Sequence, residues 1–346
     1  MTPSIPTISL SPFTTPTSSP DERLQSARSL VTALHTHGFA YITGHGLTQA
    51  ETAEAFHWAK RLFDLPLSEK MKAPHPEAAM PHRGYSGIGK EKVYSRAEVD
   101  GQGGDVEGEL RRVVDFKENY EVGSEHDDQQ ANIWLPESVL PGFRTYMAGL
   151  YARLCAVGQT VLDAIGEGLD LSPEELAEFR GLNSPHHSQL RMLHYPGFGR
   201  NKPESESFTR CPAHCDWGAF TLLFQEPNAQ DPSGGLELQD PTTKTFTKAI
   251  PQEGALVLNV GDMLQRFTNG YFISALHRVS VPSPNEISEK GVPSRYSIPF
   301  FVAPVPSHTV RTLPRFITDE APASYEPVRY QDYGAWRSEY SYQGGA

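Results

Sequence analysis

Apolar positions in the first half of the chain recur at spacings of three and four. Leu24, Ala27, Leu30, Val31 and Leu34 predict a helix capped by Ser19 or Asp21 and ended at Gly38. A second helix is predicted from about Gln49 to Phe63, stopped by Leu65-Pro66. Between them, residues 39–43 read as a strand and Gly44-His45-Gly46 as the turn after it. From Pro141 to about Gly168, the positions Phe143, Met147, Leu150, Leu154, Val157, Val161 and Ile165 form a stripe long enough to be the spine of the molecule.

Beyond residue 189 the period changes. Short apolar runs at 190–195, 220–224, 236–238, 255–260, 276–281 and 296–302 are separated by turn residues, the spacing of a double-sheet jelly roll. The expected fold is α+β, with a jelly-roll core buttressed by N-terminal helices. Residues 1–180 are expected to form a helical and mixed α/β region, 181–310 the core, and 311–346 a peripheral segment. The polar stretch 74–108, with Gly84-Tyr85-Ser86-Gly87 and Gly101-Gln102-Gly103-Gly104, is expected to be a loop, either functional or mobile.

Composition narrows the function. The 30 Lys and Arg against 42 Asp and Glu leave a net charge of −12, and there is no basic run, which argues against a nucleic-acid partner. Three cysteines, Cys155, Cys211 and Cys215, lack the spacing of a zinc site or a disulfide framework and fit a reducing, cytoplasmic setting. The first residues lack the basic-then-apolar order of a signal peptide, and no 18 apolar residues run together to span a membrane. A small-molecule substrate is the expected partner; the oligomeric state stays open.

The chemistry centres on His214-Cys215-Asp216 and His277. Alternate residues of a strand share a face, so His214 and Asp216 can share one ligand, and a neighbouring strand can bring His277 to it. Two imidazoles and a carboxylate on one face of an ion is the arrangement of non-haem Fe(II) oxygenases. A His-x-Asp tripeptide also arises by chance, but other features gather around it. Arg295 and Ser297 share a strand face, and a guanidinium with a hydroxyl suits a two-point grip on a carboxylate. Tyr195, in a strand ending at Pro196, can donate to the same carboxylate. Asn259 to Gln265 reads as a strand and tight turn, scaffold more than chemistry.

Ordered motifs extend the pattern: 37–46 (HGFAYITGHG), Arg83-Gly84-Tyr85-Ser86-Gly87, Asp115-Phe116-Lys117-Glu118, Leu140-Pro141-Gly142-Phe143, and Asn259-Val260-Gly261-Asp262-Met263 through His277-Arg278-Val279. From roughly Ile5 to Ala303 the chain resembles the isopenicillin N synthase-like branch of the Fe(II)/2-oxoglutarate-dependent dioxygenases. It is similar in feel to fungal thymine 7-hydroxylase and secondary-metabolite oxygenases. The resemblance implies a double-stranded β-helix core, with iron held by His214, Asp216 and His277. It also implies 2-oxoglutarate held by Arg295, Ser297 and Tyr195, and dioxygen as oxidant. Leu193 stands where plant members usually carry Asn, which argues against plant-type flavonoid or hormone oxidation.

Candidate substrate contacts are Arg191, which shares a strand face with Tyr195; Arg83 and Tyr85, in a loop able to close the mouth; Trp217, beside Asp216; and Phe220. Each also has a structural role open to it, as an ion pair, a solvated loop residue or a core aromatic. The expected reaction is oxidation, by default hydroxylation, of an unactivated C–H bond in natural-product biosynthesis, releasing succinate and CO2. The alternatives are an iron oxidase of the isopenicillin N synthase type, a nucleobase methyl hydroxylase, a zinc hydrolase and a non-catalytic relative.

Overall fold

The computed structural model describes residues 5–77, 82–91, 93, 114–199, 208–227, 234–282 and 291–342. The Gly101–Gly104 run of the expected 74–108 loop lies outside the described residues.

Helices α1 (Ser11–Thr14), α2 (Pro20–His37), α3 (Gln49–Phe63) and α4 (Leu67–Lys70) come early, and α5 (Phe143–Gly168), α6 (Pro173–Arg180), α7 (Asp262–Phe267) and α8 (Tyr330–Tyr342) follow. Ser19, not Asp21, caps α2. Its hydroxyl accepts from the Glu22 N–H while the Glu22 carboxylate accepts from the Ser19 N–H. Gly38 ends the helix at φ 72°. A Cβ there would lie 2.3 Å from the Ile273 carbonyl oxygen, so only glycine lets the chain turn straight into the next strand.

The strands are β1 (Thr7–Ser9), β2 (Phe39–Thr43), β3 (Gly84–Ser86), β4 (Val114–Asp115), β5 (Glu118–Val122), β6 (Gln189–Tyr195) and β7 (Phe208–Thr209). They continue with β8 (Cys211–His214), β9 (Phe220–Gln225), β10 (Leu236–Gln239), β11 (Phe246–Lys248), β12 (Leu256–Val260), β13 (His277–Val279) and β14 (Arg295–Val302). An eight-stranded sheet in the order β1-β2-β12-β9-β14-β6-β5-β3 packs over a four-stranded sheet in the order β11-β10-β13-β8. The N-terminal region therefore does more than buttress. Its strands β1, β2, β3 and β5 complete both edges of the large sheet.

Alternation along these strands decides which residues meet. Phe220, Leu222 and Phe224 of β9, Leu190 and Met192 of β6, and Ile298, Phe300 and Val302 of β14 face the helices and form the main core with the buried stripe of α5. The intervening residues, among them Thr221, Leu193, Tyr195 and Val257, face the small sheet. On β5, Tyr120 and Val122 join the main core. That leaves Asn119 and Glu121 on the inter-sheet side, both buried.

The C-terminal segment is mostly exposed, but helix α8 buries one side, with Arg337 and Ser338 only 2% and 1% exposed. The Tyr333 hydroxyl donates to Asp262 Oδ2 at 2.6 Å. The sequence hid this because the described buried residues of the helix are an arginine, a serine and a tyrosine rather than an apolar stripe.

Candidate active site

Strands β8 and β13 pair antiparallel with His214 directly opposite His277, and the two rings lie 4.3 Å apart between centroids, tilted by 51°. Strand β8 ends at His214, so Asp216 reaches the same point from the turn that follows, not from a shared strand face. That turn is pinned from behind. The N–H groups of Gly261, Asp262 and Met263 donate to the carbonyls of Ala219, Asp216 and Gly218 at 2.8–3.0 Å. A Cβ at Gly261 would lie 2.3 Å from the Gly218 oxygen, so the motif read as scaffold needs its glycine. Cys215 turns away, its thiol donating to Ser274 O.

The donor set fits one transition-metal cation. His214 Nδ1 and His277 Nδ1 each face a carbonyl, Pro212 O at 2.9 Å and Ala275 O at 3.2 Å, so these nitrogens carry the ring protons. The lone pairs are then on the Nε2 atoms, each 3.8 Å from Asp216 Oδ1. That is too long for a hydrogen bond but within the roughly 4.2 Å that two donors about 2.1 Å from a shared ion can span. Asp216 Oδ2 is taken by Thr221 Oγ1 at 2.5 Å and Asn259 Nδ2 at 2.6 Å, which aims Oδ1 at the rings. Burial opposes ionisation of Asp216, but His277, His214, Thr221 and Asn259 outweigh it and hold the carboxyl below its usual range. Burial pushes His277 down to about 4, so the ring is a neutral donor.

An inner cavity runs from these donors between the sheets to Arg295 and Ser297. Arg295 is cross-strand partner to Tyr195, and its guanidinium lies 5.0 Å from the centre of that ring. Arg295 Nη1 donates to Ser297 Oγ at 3.0 Å and Nε to Gly234 O. Lys117 enters the same cavity, its Nζ 3.1 Å from Glu91 Oε2 and 3.5 Å from Asp115 Oδ2. Burial works against the Lys117 ammonium, but Glu91, Cys211 and Asp115 hold its pKa above the ordinary value. A cavity ending in a guanidinium and a hydroxyl, with an ammonium in its wall, suits a dianion.

His214 and Asp216 also border a larger outer pocket, with Arg83, Arg191, Trp217, Phe301 and Tyr330 in its wall. Of the residues expected near substrate, Trp217 and Arg191 lie here. Arg191 is also held in ion pairs with Glu91 at 2.9 Å and with Glu121. Arg83 is buried and paired with Asp127 at 2.7 Å, so it is a wall residue and not part of a mobile lip. Tyr85 is misplaced by the loop expectation. It sits in β3 on the helix-facing side, and its hydroxyl donates to Glu118 Oε2 at 2.6 Å. Phe220 is likewise in the main core, because the inward residue of that pair is Thr221. Sequence reasoning missed Thr221, Glu91 and the α8 residues and took Asn259 for scaffold; a lone threonine alternating into the apolar run of β9 was the available signal.

Residues 5–138 match the family described as the non-haem dioxygenase in morphine synthesis N-terminal region, and 187–304 match the 2OG-Fe(II) oxygenase superfamily. The 2-oxoglutarate-dependent dioxygenase frbA of Dothideomycetidae sp. (strain 11243) is 34% identical over 305 residues, 87% of this chain and 86% of that one. Proline hydroxylase buaE of Petromyces alliaceus is 36% identical over 310 residues, 89% of each chain. Full-length Neurospora crassa T7H in complex with alpha-KG superposes with a TM-score of 0.80 at 28% identity, over 96% of this chain and 95% of that one. Its complex with alpha-KG and thymine gives 0.80 at 28% identity, over 97% and 96%. No helix among the described residues is long and apolar enough to cross a membrane. The chain belongs to the 2OG-Fe(II) oxygenase superfamily and is a 2-oxoglutarate- and Fe(II)-dependent dioxygenase with a double-stranded β-helix core.

Proposed function

We propose that His214, Asp216 and His277 hold the iron and that Arg295, Ser297 and Tyr195 hold the far carboxylate of 2-oxoglutarate. On this reading the enzyme hydroxylates an unactivated C–H bond of a small natural-product intermediate in the outer pocket. The observation that carries this is the inner cavity, which joins three convergent lone-pair donors at one end to a guanidinium–hydroxyl pair at the other.

Iron, when bound, couples dioxygen reduction to loss of CO2 from 2-oxoglutarate, for the overall change R–H + 2-oxoglutarate + O2 → R–OH + succinate + CO2. The protein's part is positional. The carbonyls of Pro212 and Ala275 keep both imidazoles turned with Nε2 inward. Thr221 and Asn259 fix which oxygen of Asp216 faces them. Arg295 binds the co-substrate at the closed end, so the other end of a five-carbon diacid lies toward the donors. Trp217 and Arg191 shape the space from which substrate presents its C–H bond.

Substrate-dependent succinate release tests the reading. Proline and prolyl peptides are the first panel, given the likeness to a proline hydroxylase. Thymine is the second, because the likeness to T7H with thymine favours a nucleobase methyl as the competing substrate. Succinate above the substrate-free rate with thymine alone would move the assignment to nucleobases.

A further inference from the structure

A second pair of histidines meets a carboxylate away from the first. Glu121 lies on the inter-sheet side of β5. His75 and His82 flank the segment leading into β3, and backbone bonds tie His75 N–H to Tyr85 O at 2.8 Å. The partners of each ring fix its tautomer. His75 Nδ1 faces the Pro76 carbonyl at 2.7 Å and must donate, so its lone pair is on Nε2. Ser338 Oγ gives its proton to Gly334 O at 2.8 Å, so it accepts from His82 Nε2 at 3.0 Å and leaves the lone pair on Nδ1. These two lone-pair nitrogens lie 3.7 and 3.9 Å from Glu121 Oε2. The other oxygen, Oε1, takes Arg191 Nη2 and Asn119 Nδ2.

The ligand atoms His75 Nε2, His82 Nδ1 and Glu121 Oε2 converge closely enough to share one ion. A shared proton bridges two acceptors at about 2.7–3.2 Å, and both separations exceed that. They match the 3.8 Å separations of the His214, Asp216 and His277 donors. The supporting bonds are also those of a ligand set: each imidazole donates its other N–H to an oxygen, and the carboxylate's second oxygen is anchored. His82 borders the outer pocket, which provides a path for an ion to enter.

We propose that His75, His82 and Glu121 form a second metal site, for a divalent transition-metal ion of the zinc, cobalt or nickel class. Two imidazole nitrogens select such ions over magnesium or calcium, which take oxygen donors. The ion would draw on the carboxylate that anchors Arg191, and so connect metal supply to the wall of the outer pocket.

The test uses the full-length, tag-free chain stripped of metal and dialysed against Co(II), with cobalt counted per chain and its ligands read by X-ray absorption. The wild-type chain is expected to hold two ions. The His214→Ala/His277→Ala chain is expected to keep one, with two imidazole ligands. His82→Asn is expected to weaken that second ion by more than about 100-fold, beyond what losing a supporting hydrogen bond costs. A His214→Ala/His277→Ala chain that retains no cobalt, or cobalt without imidazole ligands, overturns the proposal. If His82→Asn does not fold, that double variant decides alone. A wild-type chain holding one ion that His82→Asn releases would support this site and count against iron at His214.

Discussion

The inner cavity and the outer pocket meet at His214 and Asp216 but are built from different material. The inner cavity is walled by alternate residues of paired strands, so backbone direction fixes where Tyr195, Thr221, Asn259, Arg295 and Ser297 point. To the strand residues Arg191 and Phe301 the outer pocket adds segments between elements and a C-terminal helix: Arg83, the turn at Gln129 and Gln130, Trp217, and one side of α8 from Tyr330 to Ser338. Chemistry common to a family of enzymes has its groups on the rigid part. The part that must differ between substrates is carried by turns and an appended helix, where replacement costs the fold least.

Four substitutions test that division. The largest effect is expected deep in the inner cavity. Arg295→Ala removes a buried charge from a charged partner, a loss of about 2–5 kcal/mol. The dissociation constant for 2-oxoglutarate should rise on the order of a hundredfold or more while iron stays bound. Equal 2-oxoglutarate affinity in variant and wild type would make the cavity wall incidental.

Next is the seam between the two spaces, where Asp115 is buried against Lys117 and Glu91 and accepts from the Val93 N–H. Burial raises its pKa to about 6 from 3.8, more than Lys117 and the Val93 N–H lower it, with Glu91 raising it further. The folded chain therefore binds the proton more tightly than the unfolded one. Stability from this group is complete below about pH 4 and lost as pH rises through about 6, a loss of about 3 kcal/mol. Asp115→Asn should remove the dependence, so the variant gains on wild type between pH 4 and 7 in denaturant unfolding; parallel curves would refute it.

A smaller effect is expected where hydrogen bonds only orient a donor. Thr221→Val should weaken iron binding about 10–100-fold, as losing such supporting partners typically does. Its 2-oxoglutarate affinity, measured at saturating iron, should hold. The smallest is in the outer pocket. Trp217 stacks beneath the Arg337 guanidinium at 5.4 Å, a contact worth about 0.5–2 kcal/mol. Trp217→Phe should raise substrate KM severalfold and leave 2-oxoglutarate KM alone; a change in the latter would erase the distinction between the two spaces.

The same division explains what could be read from sequence. The helices α2, α3 and α5 and the strands β2, β6, β9, β12 and β14 follow from spacing, because burial on one face enforces a period. His214, His277, Arg295 and Ser297 follow the alternation of polar residues into apolar strands, whereas Asp216 lies in the turn after β8 and the strand-face reading did not place it. The same rule would have turned Phe220 outward and Thr221 inward, had the strand's start been fixed. Tyr85 was misjudged because a three-residue strand within a polar, glycine-rich stretch leaves no period to count. The role of α8 was hidden for the opposite reason: its buried residues are polar, and their partners Asp262, Trp217 and His82 are far away in sequence.

The most direct measurement is anaerobic titration of apoprotein with Fe(II) and 2-oxoglutarate, following the visible band of the iron–co-substrate complex in wild type, His277→Ala and Arg295→Ala. The account predicts a band at one equivalent of each in wild type, none in His277→Ala, and one in Arg295→Ala only at far higher 2-oxoglutarate. A wild-type band in His277→Ala, or an unshifted titration in Arg295→Ala, would contradict it.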